Sequence, residues 1–127
     1  MYLLDTHYLL WSLYEPEKLS KKAIELLEDS NNIIFFSAAS IFEIVIKESI
    51  GKIKVEDNIA NTLIKSGFLE LSITAKHAEN LKSVPLLHKD PFDRILLSQA
   101  IIESLTLITK DHQLQQYKGY YKNIVSL

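Results

Sequence analysis

The sequence contains no cysteine among its 127 residues. This absence excludes a disulfide framework, a zinc site built from thiolates and a cysteine nucleophile, and it fits a reducing compartment. No apolar stretch approaches the roughly 18 residues that a membrane-spanning helix requires. No basic region precedes the apolar N-terminal run, as it would in a signal peptide. These absences predict a soluble, cytoplasmic protein with no membrane partner.

Basic residues are too few for a protein that binds nucleic acid through bulk charge. The chain has 14 Lys and Arg against 16 Asp and Glu, and its net charge is −2. Binding by phosphate neutralisation alone needs a basic surface, so that class is excluded. The charge balance does not exclude an enzyme that holds phosphate through metal ions and a few local lysines. Arg94 is the only arginine, and its forked donors suit carboxylate or phosphate. The alternative for Arg94 is a surface ion pair with Asp90 or Asp93.

Short apolar runs alternate with helical patterns along the whole chain. The predicted strands cover residues 1–4, 33–36, 68–73, 105–109 and 123–125. The predicted helices follow Asp5 or Thr6, Ser20, Ser37 or Ser40, Asp57 and Thr74, and then cover residues 91–103 and 111–116. This alternation predicts a parallel sheet with helices on both faces. The length suits one core, so we expect a single domain over residues 1–127, a three-layer α/β/α fold with a mostly parallel sheet of four to five strands.

The segment 88–100 carries the clearest helix start in the chain. Asp90 precedes Pro91, an order typical of an N-cap followed by the first helical position. Asp93 then falls in the first turn, where a carboxylate suits the positive end of the helix dipole. A well-capped core helix therefore explains both acids, unless the rest of the chain brings further acids to matching positions.

Four acids stand at such positions. Asp5 ends the first strand, Asp111 follows the fourth, Glu43 lies early in the helix after the second strand, and Asp93 opens the helix before the fourth. In an open parallel sheet the functional crevice lies past the carboxyl ends of the strands. Each acid also has a local alternative: Asp5 and Asp111 as helix N-caps, Asp93 as a dipole partner, and Glu43 as the i,i+4 partner of Lys47.

Glu43 is the acid whose surroundings point most strongly to a ligand. It lies within an otherwise apolar segment, residues 40–46. A buried carboxylate needs a partner because desolvating an isolated charge is very costly. A cation shared with Asp5 and Asp93 would be such a partner. Oxygen ligands select magnesium or manganese over zinc, and such an ion can activate water and stabilise charge on a phosphodiester.

Other catalytic arrangements find little support. The sequence shows no Ser-His-Asp or Cys-His pattern, and its four histidines lack zinc-ligand spacing. We interpret His77 as a surface residue. His7, His88 and His112 each stand near a proposed acid. We interpret these histidines either as contacts to phosphate or as local polar groups near the strand ends. A phosphatase with an aspartyl nucleophile would carry a second Asp where His7 stands.

Five motifs, in order along nearly the whole chain, resemble the PIN-domain family and, more narrowly, the VapC-like toxins of bacterial type II toxin–antitoxin systems. They are Leu3-Leu4-Asp5-Thr6-His7, Leu9-Leu10-Trp11, Ser40-x-x-Glu43-Ile44 with Lys47, His88-Lys89-Asp90-Pro91-Phe92-Asp93-Arg94, and Thr109-Lys110-Asp111.

The resemblance implies a metal-dependent endoribonuclease that forms a homodimer and is covered by a cognate antitoxin protein. It implies that Asp5, Glu43 and Asp93 bind Mg²⁺ or Mn²⁺ and that Asp111 is the fourth acid. Asp90 is an extra acid, interpreted as a cap with an outer role at the site. The expected contacts to the RNA substrate are Thr6, Lys47, Arg94, Thr109 and Lys110. The alternative is a PIN-like domain that binds RNA or protein without catalysis, and DNA is the other substrate to test.

Overall fold

The computed structural model describes all 127 residues as one five-stranded sheet flanked by helices. The strands are β1 (Tyr2–Leu4), β2 (Ile34–Ser37), β3 (Leu69–Leu71), β4 (Thr106–Ile108) and β5 (Ile124–Val125). Every pairing is parallel, and the strand order is β3-β2-β1-β4-β5. The predicted fold class is confirmed.

Seven α-helices connect and cover the strands. They are α1 (Thr6–Tyr14), α2 (Lys21–Glu28), α3 (Ala38–Ser49), α4 (Ile59–Lys65), α5 (Ala75–Glu79), α6 (Pro91–Glu103) and α7 (His112–Gln115). Short 3₁₀ turns follow α1, α5 and α7. No helix has both the length and the apolar character needed to cross a bilayer.

Two hydrophobic cores lie on opposite faces of the sheet. Successive side chains of a strand point to opposite faces. Leu3 of β1 and Leu107 of β4 accordingly belong to one core, whereas their neighbours Leu4 and Ile108 belong to the other. The near-continuous apolar character of the central strands follows from this double burial.

The strand order places a topological switch point between β1 and β4. From β1 the chain proceeds through β2 to β3 on one side, and it returns to β4 and β5 on the other. Ligand crevices in open α/β sheets form past the carboxyl ends of the strands at such a point. The residues that follow these two strands, Asp5 and 109–111, therefore share one edge of the sheet.

Two predictions about local structure are wrong. Asp57 does not cap α4. Instead Asn58 has a left-handed backbone with φ 59° and precedes the helix without a side-chain cap. His77 is not a surface residue, since it is only 1% exposed. Its Nδ1 accepts the N–H of Thr74 at 3.0 Å, and its Nε2 lies 2.7 Å from Oε2 of Glu103. His77 therefore joins α5 to α6.

Candidate active site

Asp5 combines two roles that the sequence left as alternatives. It is the N-cap of α1, where its Oδ1 accepts the N–H of Tyr8 at 2.9 Å. Its Oδ2 accepts the hydroxyl of Thr109 at 2.6 Å, across the switch point. The residue is 3% exposed. Burial raises the pKa of Asp5, the charge of Asp111 raises it further, and the two hydrogen bonds oppose this effect.

Thr109 and Asp111 complete the end of β4. Thr109 is fully buried, and its Oγ1 also accepts the N–H of Asp111 at 3.0 Å. Asp111 caps α7 through Oδ1, which accepts the N–H groups of Gln113 and Leu114 at 2.7 and 3.2 Å. Its other carboxylate oxygen makes no hydrogen bond within the protein. Thr109 therefore positions Asp5, and a direct substrate contact by Thr109 is not compatible with its burial.

Asp93 lies in the first turn of α6, as predicted, and is paired with His88. Its Oδ2 lies 2.8 Å from Nε2 of His88, while its Oδ1 makes no hydrogen bond. Burial is the main cause that raises the pKa of Asp93 to about 6. The charges of Asp90 and Asp111 also raise this pKa, and His88 lowers it. Asp111 thus acts electrostatically on both Asp5 and Asp93.

Asp90 is the N-cap of α6, as predicted. Its Oδ1 accepts the N–H groups of Phe92 and Asp93 at 2.8 and 3.2 Å. His88, Asp90 and Asp93 each bring a ligand atom within 4.8 Å of the other two. No three of the four acids proposed from the sequence lie as close together. The group of ligand atoms around Asp93 therefore includes two residues, His88 and Asp90, that the sequence did not predict as metal ligands.

Glu43 is the one acid of the four that pairs with a lysine. It is 8% exposed, and its Oε2 pairs with Nζ of Lys47 at 2.7 Å. Its Oε1 accepts the hydroxyl of Thr6 at 2.8 Å, and that hydroxyl also lies 3.0 Å from Oγ of Ser40. Because Thr6 directly follows Asp5, this hydrogen bond links the start of α3 to the end of β1.

Arg94 contacts neither Asp90 nor Asp93, so the predicted ion pair with these acids is absent. Its guanidinium donates to backbone carbonyls and to the hydroxyl of Tyr117, the latter at 3.1 Å. The carbonyls belong to Leu81, Val84, Pro85 and His88. A guanidinium has five N–H donors, and here they hold the segment before α6. Arg94 is therefore occupied by contacts within the fold, and a contact from its guanidinium to the substrate stays a prediction.

Tyr117 is a residue that the sequence did not point to. It is fully buried, and its hydroxyl donates to the carbonyl of Pro85 at 2.7 Å. The same oxygen accepts the N–H groups of Leu87 and His88, each at 3.0 Å. Together with Arg94, Tyr117 fixes the loop that presents His88 to Asp93. Its neighbours Gln116 and Lys118 are polar, so no local pattern marked Tyr117 as a core residue.

A pocket of about 240 Å³ opens beside the ends of β1 and β4. It is lined by Asp5, His7, Trp11, Lys110 and Asp111. The Nζ of Lys110 lies 5.7 Å from the centroid of the Trp11 ring, and Lys110 forms no ion pair. Of the two lysines predicted to contact substrate, Lys110 faces this pocket, whereas Lys47 is engaged by Glu43.

The donor set at this edge fits a hard divalent cation. Its free oxygen atoms belong to carboxylates, and no lysine or arginine forms an ion pair with Asp5, Asp93 or Asp111. Carboxylates whose pKa is raised by burial and by a neighbouring carboxylate, as at Asp5 and Asp93, gain from a shared positive charge. Oxygen ligands of this kind suit Mg²⁺ or Mn²⁺.

The chain has clear relatives by family and by structure. A family model described as the PIN domain matches residues 2–120. VapBC2 from Rickettsia felis, solved with a DNA fragment from its promoter, superposes with a TM-score of 0.68 at 19% identity, covering 99% of this chain and 98% of that one. A toxin–antitoxin complex from Klebsiella pneumoniae gives 0.66 at 20% identity, with 98% and 96% covered.

FitAcB from Neisseria gonorrhoeae gives a TM-score of 0.59 at 16% identity, with 100% of this chain and 96% of that one covered. These identities are low, so the superpositions show a shared fold. No curated protein matches the sequence.

Proposed function

The chain belongs to the PIN domain family, and from this membership we propose that it is a metal-dependent endoribonuclease that hydrolyses RNA phosphodiesters. PIN domains are in general nucleases. The observation that carries the proposal is the charge arrangement at the switch point. Asp111 raises the pKa of both Asp5 and Asp93 there, and no basic side chain except His88, next to Asp93, forms an ion pair with these acids.

In the proposed site, Asp5, Glu43, Asp93 and Asp111 hold Mg²⁺ or Mn²⁺. A divalent cation bound there would supply activation of water and stabilisation of charge on the scissile phosphate. His88 orients Asp93 through the 2.8 Å contact. Lys110 is the exposed cation best placed to meet a substrate phosphate, since it lines the pocket and has no acidic partner.

The threonines hold the acids in place. Thr109 donates to Asp5, and Thr6 donates to Glu43. Groups that hydrogen-bond to metal ligands and orient them typically lower metal affinity about 10- to 100-fold when they are removed. Both threonines are buried, which supports this role over contact with RNA.

We further propose that the protein is the toxin of a toxin–antitoxin pair, acts in the cytoplasm as a homodimer, and is covered by a cognate antitoxin. One of the structures that share its fold is described as a toxin–antitoxin complex. An apolar stripe along α3 supports a protein partner, because Phe42, Val45, Ile46 and Ile50 are 36 to 61% exposed. Contiguous exposed apolar surface commonly marks an interaction site.

Cleavage of a labelled single-stranded RNA tests the catalytic proposal. The wild type is expected to cleave with Mg²⁺ or Mn²⁺ and to stop when the metal is chelated. Asp5→Asn and Asp93→Asn are expected to lose cleavage. Asp57→Asn is the matched control, since Asp57 is exposed, precedes α4 and does not line the pocket that contains Asp5 and Asp111.

Equal activity in wild type and site variants, or full activity in chelator, would contradict the proposal. Metal-independent binding of RNA without turnover would favour the non-catalytic alternative. A parallel digestion of single-stranded DNA of the same sequence decides between the two nucleic acids. Size-exclusion chromatography with light scattering tests the dimer, and its mass should be twice 14.6 kDa.

A further inference from the structure

Trp11 lies between two pockets and belongs to the lining of both. The first is the pocket of about 240 Å³ that also contains Asp5 and Asp111. The second, of about 350 Å³, shares His7 and Trp11 with the first. The remaining lining of the second pocket is Leu10, Tyr14, Glu15, Lys18, Ile53, Lys54 and Val55. An aromatic and aliphatic surface therefore continues directly from the candidate active site.

The Trp11 ring is held from the core side. Tyr8 is 1% exposed and meets Trp11 edge-on, with ring centroids 5.4 Å apart. The hydroxyl of Tyr8 is itself fixed to the backbone of Leu127, at 2.8 and 3.1 Å. His7 is exposed and lies nearly parallel to Trp11, with centroids 5.9 Å apart and an interplanar angle of 27°. The two rings form a rigid, partly open stacking surface.

Unpaired cations flank these rings. Lys110 faces the acidic pocket and Lys54 lines the other one, and neither forms an ion pair. Lys18 is bound to Glu15. In a chain of net charge −2, free cations on either side of aromatic rings are complementary to a ligand that has both aromatic bases and anionic phosphates.

We propose that His7 and Trp11 form a nucleobase-stacking subsite of the active site. A base of single-stranded RNA stacks on these rings, and Lys110 turns from Trp11 to the adjoining phosphate, which lies next to the acids. This inference rests on the proposed function for the choice of RNA. Aromatic stacking accepts every base. The subsite therefore contributes affinity and positions the strand, and it does not select the base sequence.

Trp11 is the only tryptophan, so fluorescence excited at the long-wavelength edge, where the six tyrosines do not absorb, reports on this subsite. The Asp93→Asn variant in Mg²⁺ buffer is titrated with a six-nucleotide single-stranded RNA, which separates binding from cleavage. The comparison ligand is an oligonucleotide of the same length that carries the phosphates and lacks the bases. A saturable quench is expected with RNA, and little change is expected with the abasic ligand.

Affinity for a labelled RNA, measured by anisotropy, tests the side chain itself. Stacking of a base is worth about 1–3 kcal/mol, so Trp11→Ala is expected to weaken binding about 5- to 150-fold. Trp11→Phe keeps an aromatic face and should retain most of the affinity. Tyr120→Ala is the control, because Tyr120 is 45% exposed and lines neither pocket.

Equal binding of RNA and abasic ligand, or unchanged affinity in a folded Trp11→Ala, would overturn the subsite. If Trp11→Ala does not fold, the comparison of the two ligands decides. A quench by a partner protein and none by RNA would assign the surface to that protein, which also overturns the proposal. Cleavage by wild type without quenching refutes the subsite alone, whereas quenching without any cleavage refutes the nuclease alone.

Discussion

Asp93→Asn is expected to stabilise the metal-free protein at pH 7.5 although it removes a proposed ligand. Asp93 has a pKa raised to about 6 from an ordinary value of 3.8 because it is buried near Asp90 and Asp111. Its ionised form is therefore disfavoured in the fold. Asparagine has nearly the same shape, keeps an oxygen that can face His88, and carries no charge.

The structure sets the size of this gain. One pH unit corresponds to 1.36 kcal/mol, so the difference between about 6 and 3.8 corresponds to at most about 3 kcal/mol. The side chain remains 18% exposed, and water screens part of the unfavourable charge. Asparagine also loses the charge-assisted part of the contact with His88. The expected net gain in free energy of unfolding is about 1–2 kcal/mol.

The gain must depend on pH in a definite direction. The folded protein holds the proton of Asp93 more tightly than the unfolded chain does, so the wild type loses stability as the pH rises from about 4 through 6. Below pH 4 both proteins carry an uncharged group there. The two free energies of unfolding should therefore coincide near pH 4 and separate by pH 7.5.

Urea denaturation in EDTA, followed by circular dichroism at pH 4, 5, 6 and 7.5, measures this difference. Asp57→Asn, at an exposed position, should stay within about 0.5 kcal/mol of wild type. If Asp93→Asn is less stable than wild type at pH 7.5, or if the difference is the same at every pH, the electrostatic account of the site is wrong.

Three further outcomes follow from the same contacts. Tyr117→Phe removes a hydroxyl that donates to one carbonyl and accepts from two backbone N–H groups and the Arg94 guanidinium, so it should lower the free energy of unfolding by about 2–4 kcal/mol. Tyr120→Phe, whose hydroxyl has one partner, should lower it by less than about 1 kcal/mol, and equal losses in urea denaturation would contradict the anchoring role. Thr109→Val removes the donor to Asp5 and should weaken Mn²⁺ binding about 10- to 100-fold in calorimetry. An unchanged affinity for Mn²⁺ would exclude the proposal that Thr109 orients Asp5. Mg²⁺ at 100 times its Kd should stabilise the wild type by about 2.7 kcal/mol, which would be measured as a higher melting temperature. Asp5→Asn should abolish most of this stabilisation. A melting temperature that changes with neither Mg²⁺ nor EDTA would argue against the metal site.

The sequence was sufficient for features that depend on neighbours along the chain. Asp90 before Pro91 predicted the start of α6, because a cap hydrogen bond is made to N–H groups two and three residues away. The alternation of apolar runs with helical patterns predicted the parallel sheet. Since parallel strands end at one edge, the order of elements also placed Asp5 and Asp111 together.

Asp5 is both a helix cap and a residue of the candidate site. Asp5 caps α1 with one oxygen and meets Thr109 with the other. The choice between cap and site residue therefore did not need to be made at this position, because a carboxylate has two oxygen atoms with separate partners.

By itself, then, the sequence determined the fold class, the starts of most helices and the meeting of Asp5 and Asp111 at one sheet edge, because short-range capping, periodicity and strand direction fix these. Only the tertiary structure decided which distant groups meet. Tyr117 and Arg94 anchor the loop of His88, and His77 lies buried beside Glu103. Tyr117 and His88 are 29 residues apart and His77 and Glu103 are 26 apart, and how the helices pack on the sheet decides that they meet, so no local pattern of residues could specify these pairs.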